Sequence, residues 1–114
     1  MTEKLNGVNL TEITLYTEED IKPGMAVMIS DNYTATIPVS NTRFAGICTG
    51  VNGKYVTVAI NGIVTVPYTG SEISIGYNTL ASDGNGVVKI DFAGSFEYLV
   101  LDADAQKKLV TFML

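Results

Sequence analysis

Glycine, proline, asparagine and aspartate punctuate this chain roughly every 8–12 residues, and that spacing is what most constrains its fold. Pro23-Gly24, Asn52-Gly53, Asn61-Gly62, Thr69-Gly70-Ser71 and Asp83–Gly86 separate short segments rich in Val, Ile, Thr and Tyr. No segment sustains an apolar period near 3.6, so no helix would have a core-facing stripe. Alternating segments such as Glu12–Thr17, where Ile13 and Leu15 share one side, predict strands. The expectation is an all-β fold, a small single-domain β-barrel or sandwich of short antiparallel strands. Such folds hide their sheet edges by closing or by pairing with a neighbour.

Residues 12–17, 25–30, 34–40, 43–50, 72–75, 96–101 and 108–114 are predicted strands. Pro38 lacks a donor, which places 34–40 at a sheet edge. Asn52-Gly53 and Asn61-Gly62 both sit between β-branched residues, where a type I′ turn needs positive φ at both central positions. Asn-Gly hairpins at both would pair Val51 with Lys54 and Ile60 with Ile63, giving a meander of about 44–51, 54–60 and 63–68. A glycine inside one long strand would instead mark a bulge at the second pair. No long internal repeat is evident. Residues 1–11 read as an N-terminal arm and 12–114 as a single β-domain, a chain length that fits one core.

Groups that could carry chemistry are few. The chain has no histidine, so Ser-His-Asp and Cys-His arrangements are excluded. Cys48, the one cysteine, lies in the apolar stretch "FAGICTG" and reads as a buried inert thiol. A phosphate-binding P-loop around Asn52-Gly53 would need Gly at 48 and Ser or Thr at 55, where the chain has Cys48 and Tyr55. Asp102 with Asp104 lacks the His or third ligand a metal site needs, and the "DGNG" turn has too few oxygens for a calcium loop. Glu18 with Glu19, like Asp102 with Asp104, reads as solvated acids on a turn rather than a glycosidase's carboxylate pair. No catalytic residue, cofactor or metal is expected, and the chain is read as not an enzyme. Tyr55, Tyr68 and Tyr77 are the aromatic candidates for a carbohydrate- or small-molecule-binding barrel.

The net charge of −5, with basic residues scattered along the chain, argues against direct nucleic-acid binding. No apolar run is long enough for a membrane span, and "MTEKLNGVNL" lacks a signal-peptide core, so synthesis in a reducing cytoplasm is expected. The Asn9 and Asn32 sequons then read as chance. Apolar residues make up 46% of the chain and charged ones only 17%, a balance that predicts surface covered by a partner and therefore a homo-oligomer. Within the arm, Leu5, Val8 and Leu10 are spaced among polar residues and are candidates for ordering against a receiving surface.

The order of these segments resembles the small capsid decoration, or cement, proteins of tailed bacteriophages. The likeness runs from Asp20 to Leu114. It rests on Gly24–Val27, then Phe44–Ile47, then Val56, Val58, Gly62 and Val64. Ile73, Gly76 and (one residue late) Leu80 follow, then Asp83, Gly86 and Val88, and the chain closes on an apolar strand ending at Leu114. The resemblance implies a structural virion protein on the capsid exterior, assembled in the host cytoplasm. Its partner would be the major capsid protein, and its own state a small oligomer, a trimer favoured. Leu5, Val8 and Leu10 would then be the capsid-binding arm. A tail or baseplate adaptor of similar design is the alternative within virions.

Overall fold

The computed structural model describes residues 8–94 and 96–114. Among them are nine strands and no helix: β1 (Val8–Tyr16), β2 (Ala26–Asp31), β3 (Thr34–Thr36), β4 (Gly46–Asn52), β5 (Tyr55–Thr69), β6 (Gly76–Ser82), β7 (Val88–Ile90), β8 (Glu97–Asp104) and β9 (Leu109–Met113). The fold is all-β and its sheet is closed.

Five strands pair in the order β1, β3, β2, β4, β5, and β5 returns to β1, completing a ring. The second half of the chain builds another ring on the same long strand, in the order β5, β7, β6, β8, β9 and back to β5. The two rings have one topology. Strands β1 to β5 map onto β5 to β9, with the parallel pair β1–β3 answered by β5–β7 and every other pairing antiparallel. Even the irregularity recurs: β4 breaks register against β5 between Cys48 and Gly50, and β8 breaks register against β9 between Val100 and Asp102.

This corrects the expectation that the chain has no long repeat. Tyr16-Thr17, Ile21, Gly24 and Ser30-Asp31 recur, at one constant offset, as Tyr68-Thr69, Ile73, Gly76 and Ser82-Asp83. Gly24 and Gly76 both take positive φ, 92° and 102°. The radius of gyration is 13.2 Å, the size of one compact body of this length, about 13 Å. The rings are therefore packed together as one domain.

The first Asn-Gly pair does make a hairpin, one residue later than predicted. Asn52 pairs with Tyr55 and Val51 with Val56, leaving Gly53-Lys54 as the two-residue loop. Gly53 alone has positive φ, 63°, as a type II′ turn requires at its first central position. This register sets Val51 opposite Val56 rather than Lys54 and lets Tyr55 meet Tyr16 edge-on at 5.9 Å. Asn61-Gly62 makes no hairpin. Strand β5 runs through it, because Ile63 is held on one side by Val8 and on the other by Met113, and Gly62 accepts the Leu114 N–H at 2.9 Å. Ladder bonds on both sides outweigh the local turn preference.

Two further expectations are corrected. The 34–40 segment is a strand only over Thr34–Thr36, with neighbours on both sides, so Pro38 lies beyond the strand and marks no edge. The 72–75 strand is absent, and β6 begins at Gly76 instead. The arm and domain boundary also moves, since Val8 to Thr11 belong to β1 and pair with β5.

Two apolar clusters fill the molecule. Leu15, Ile21, Val27, Ala35, Cys48, Val56 and Val58 pack together in the first ring. The second cluster holds Val64, Val66, Tyr68, Leu80, Val100, Val110 and Phe112 of the second ring, and it also takes in Ala26, Phe44, Ile47 and Ala59. Ala26, Ile47 and Ala59 are chain neighbours of Val27, Cys48 and Val58, so they sit on the opposite face of the first ring's sheet. Around these residues the sheet is thus buried on both faces, which absorbs part of the apolar excess in the composition. Phe44 seals the junction, stacked on Tyr98 at 5.2 Å and edge-on to Phe112 at 6.1 Å.

Candidate interaction surface

The proposed arm residues separate. Leu5 lies outside the described residues. Val8 pairs through its backbone with Ile63. Leu10 is half-buried and packs against the second cluster. It sits in a bulge of β1, where the register slips between Val8 and Thr11 and Asn9 takes φ 54°. Val8 and Leu10 therefore lie within β1, and residues 1–7 lie outside the described residues.

The three tyrosines do not converge. Tyr68 is buried in the second cluster, Tyr55 lies against Tyr16, and Tyr77 is 70% exposed on β6. Two recesses flank the ring junction. One of about 250 Å³ is lined by Leu10, Ile47, Cys48, Val64, Thr65 and Val66, and one of about 300 Å³ by Met28, Arg43, Phe44, Ile60, Tyr98 and Leu114. Both are mainly aliphatic or aromatic, without the several convergent polar groups that orient a small ligand.

Among the described residues, no three His, Cys, Asp or Glu side chains gather as metal ligands would. Asp83 caps its own turn, its Oδ1 accepting the Asn85 and Val87 N–H groups at 2.7 and 3.1 Å. Burial pushes the Cys48 thiol up from its ordinary pKa, and its Sγ donates to the Gly50 carbonyl. The Glu19 carboxylate accepts from the Thr36 hydroxyl and from the Ile37 N–H at 2.7 Å, contacts that hold its pKa down. These carboxylate contacts brace loops against strands.

What the surface does offer is apolar. Tyr77 pairs with Leu99, Val100 beside Leu99 pairs with Phe112 beside Met113, and Met113 pairs with Ile63. The four side chains therefore form a row across β6, β8, β9 and β5 on the outer face of the second ring. Tyr77 is 70% and Met113 41% exposed, while Leu99 and Ile63 are half-buried. Leu101, also exposed, follows Leu99 along β8. The sequence reading missed this row because alternation shows two faces of a strand without showing which one another ring will cover.

Comparison with protein-family models, with curated proteins and with solved structures finds no match to this chain. No helix of the described residues is long and apolar enough to cross a membrane.

Proposed function

We propose that this chain is a structural virion protein that binds the outside of a tailed-phage head and stabilises it. The observation that carries the reading is the exposed Tyr77–Leu99–Met113–Ile63 row on a closed β-scaffold. The order of segments from Asp20 to Leu114, with its likeness to cement proteins, supplies the kind of partner. The major capsid protein is that partner, and the chain acts as a small oligomer, a trimer being favoured. No catalysis, cofactor or nucleic-acid contact enters this role. The net charge of −5 suits a coat that must keep particles dispersed.

Several weak contacts on one oligomer would reinforce one another, because each further contact is made at high effective concentration. The test is to mix the purified protein with empty heads that lack their decoration protein and to pellet them. Saturable co-sedimentation, followed by greater resistance of the heads to heat, is the expected result. Heads that pellet bare overturn the reading, and capture on isolated tails would move the protein to the tail-adaptor class.

A further inference from the structure

Strand β2 keeps a bare edge whose counterpart in the second ring is filled. On its β4 side β2 is paired only at Ala26 and Val27, where the Ala45 N–H donates to the Val27 carbonyl at 2.7 Å. Main-chain groups alternate along a strand, so Ile29 turns its N–H and C=O to the same side as Val27. Among the described residues, no strand or loop bonds that side beyond Val27. Met28 is 39% and Ile29 46% exposed. In the second ring β6 parts from β8 after Thr79, and its edge is then taken up at once. The Leu80 N–H donates to the Phe96 carbonyl at 3.3 Å, the Ser82 N–H to the Thr42 carbonyl at 3.0 Å, and the Asn41 N–H to the Ser82 carbonyl at 2.9 Å. Part of the loop between β3 and β4 has thus added to β6 through main-chain bonds, and Leu80 to Ser82 are at most 4% exposed.

The bare edge opens onto a recess. Met28 lines the space of about 300 Å³ bounded by Phe44, Ile60, Tyr98 and Leu114, which has room for one large apolar side chain. At the rim stands Arg43, the one arginine of the chain. Its guanidinium is held over the Phe96 ring, 4.3 Å from the centroid. Among the described residues it meets no carboxylate and no hydrogen-bond acceptor. Its planar fork of donors matches a carboxylate, which it binds through two parallel bonds. The net charge of −5 repels a strongly acidic segment, and Asp31, about 10 Å further along the edge, repels a second acid there. One carboxylate, at the Arg43 end, is the charge that fits.

We propose that β2 receives an extended segment of a partner protein along Met28–Asp31, with an apolar side chain in the recess and an acidic one on Arg43. Main-chain bonds add the segment as a strand, and the two side chains decide which segment is taken. Successive side chains of a strand face opposite ways, so the apolar and acidic residues stand two apart. The groove uses no residue of the Tyr77 row and stands whether or not the protein coats a head.

The probe is the blocked peptide acetyl-Thr-Phe-Thr-Glu-Thr-amide, titrated into the isotope-labelled full chain and followed by NMR. Saturable shifts are expected at Met28, Ile29, Ile60 and the Arg43 side chain, with slower exchange of the Ile29 amide. The same peptide with Gln in place of Glu should bind the wild type about tenfold more weakly. Arg43→Gln should bind both peptides alike, at that weaker level. Ile29→Pro removes the open donor without touching the bonds to β3, and it should weaken both peptides. Circular dichroism checks that the variants fold; if Ile29→Pro does not, exchange of the Ile29 amide in the wild type reads the edge instead. No saturable shift, shifts away from β2, or equal binding of the two peptides to the wild type would overturn the proposal. Slow exchange of the Ile29 amide in the free protein would overturn it too, since the edge would already be filled, by a second copy where protection grows with concentration.

Discussion

The two rings are built on one plan and filled differently. The first closes with a two-residue loop, Gly53-Lys54, and its cluster is made of Val, Ile, Leu, Ala and Cys side chains. The second closes over the longer stretch between Asp104 and Leu109 and holds Phe112 where the first has Val58. The first ring's sheet is buried on both faces around Ala26, Ile47 and Ala59, whereas the second keeps Tyr77 and Met113 of its outer row in solvent. Topology therefore does not decide which apolar residues are hidden; the neighbour does. Within the chain the second ring's cluster covers the Ala26–Ile47–Ala59 row, while Tyr77 and Met113 stay exposed among the described residues.

Truncating the equivalent core positions tests this contrast first. Phe112→Ala should cost about 3–5 kcal/mol, since it empties the aromatic contact shared with Phe44 and Tyr98. Val58→Ala should cost roughly 2 kcal/mol from the lost methyl groups and the small void. Urea unfolding measures both. Equal losses would show that the second ring is not the more heavily filled one. Gly46→Ala comes next, because an added Cβ would stand 2.3 Å from the Ala59 carbonyl oxygen. Backbone must shift to admit it, which costs about 1–3 kcal/mol. A variant that melts with the wild type would mean β4 and β5 are not so close.

Gly53→Val is smaller. Its Cβ would have space, but a β-branched residue resists the positive φ of the tight turn, at a cost of more than ~1 kcal/mol. Unchanged melting would remove the turn assignment. The smallest effect is a pH dependence confined to the first ring, since Ser71 stands at the place equivalent to Glu19. The folded pKa of Glu19 is lowered by Thr36 and Ile37. Its contribution is therefore present above the unfolded carboxyl pKa, about 4.3, and is lost as pH falls through the folded value. Glu19→Gln should lower the melting temperature slightly at neutral pH, and the gap should close toward acid. A gap independent of pH would assign the loss to something other than the carboxylate.

The sequence carried the fold class and the first hairpin because Gly53 and its β-branched neighbours state both locally. It hid the repeat. Identity survives at turn-bearing positions such as Gly24 and Gly76, while strand positions vary as freely as Val58 and Phe112, so no run of matches accumulates. The β1 bulge at Asn9 and Leu10 broke the alternation and made strand residues look like an arm. Asn61-Gly62 looked like a turn because its two-sided pairing is set by β1 and β9, which lie far away in sequence. The exposed row was illegible for the same reason: which face of β6, β8 and β9 stays bare is settled by where the first ring sits.

The central claim is that two rings of one topology share β5, which runs unbroken through Asn61-Gly62 with β1 on one side and β9 on the other. Amide hydrogen exchange reads this directly. The account predicts that the amides from Val58 to Val66 exchange slowly, with like protection on both sides of Asn61-Gly62. Fast exchange confined to Ile60–Ile63, as a turn there would give, would contradict it.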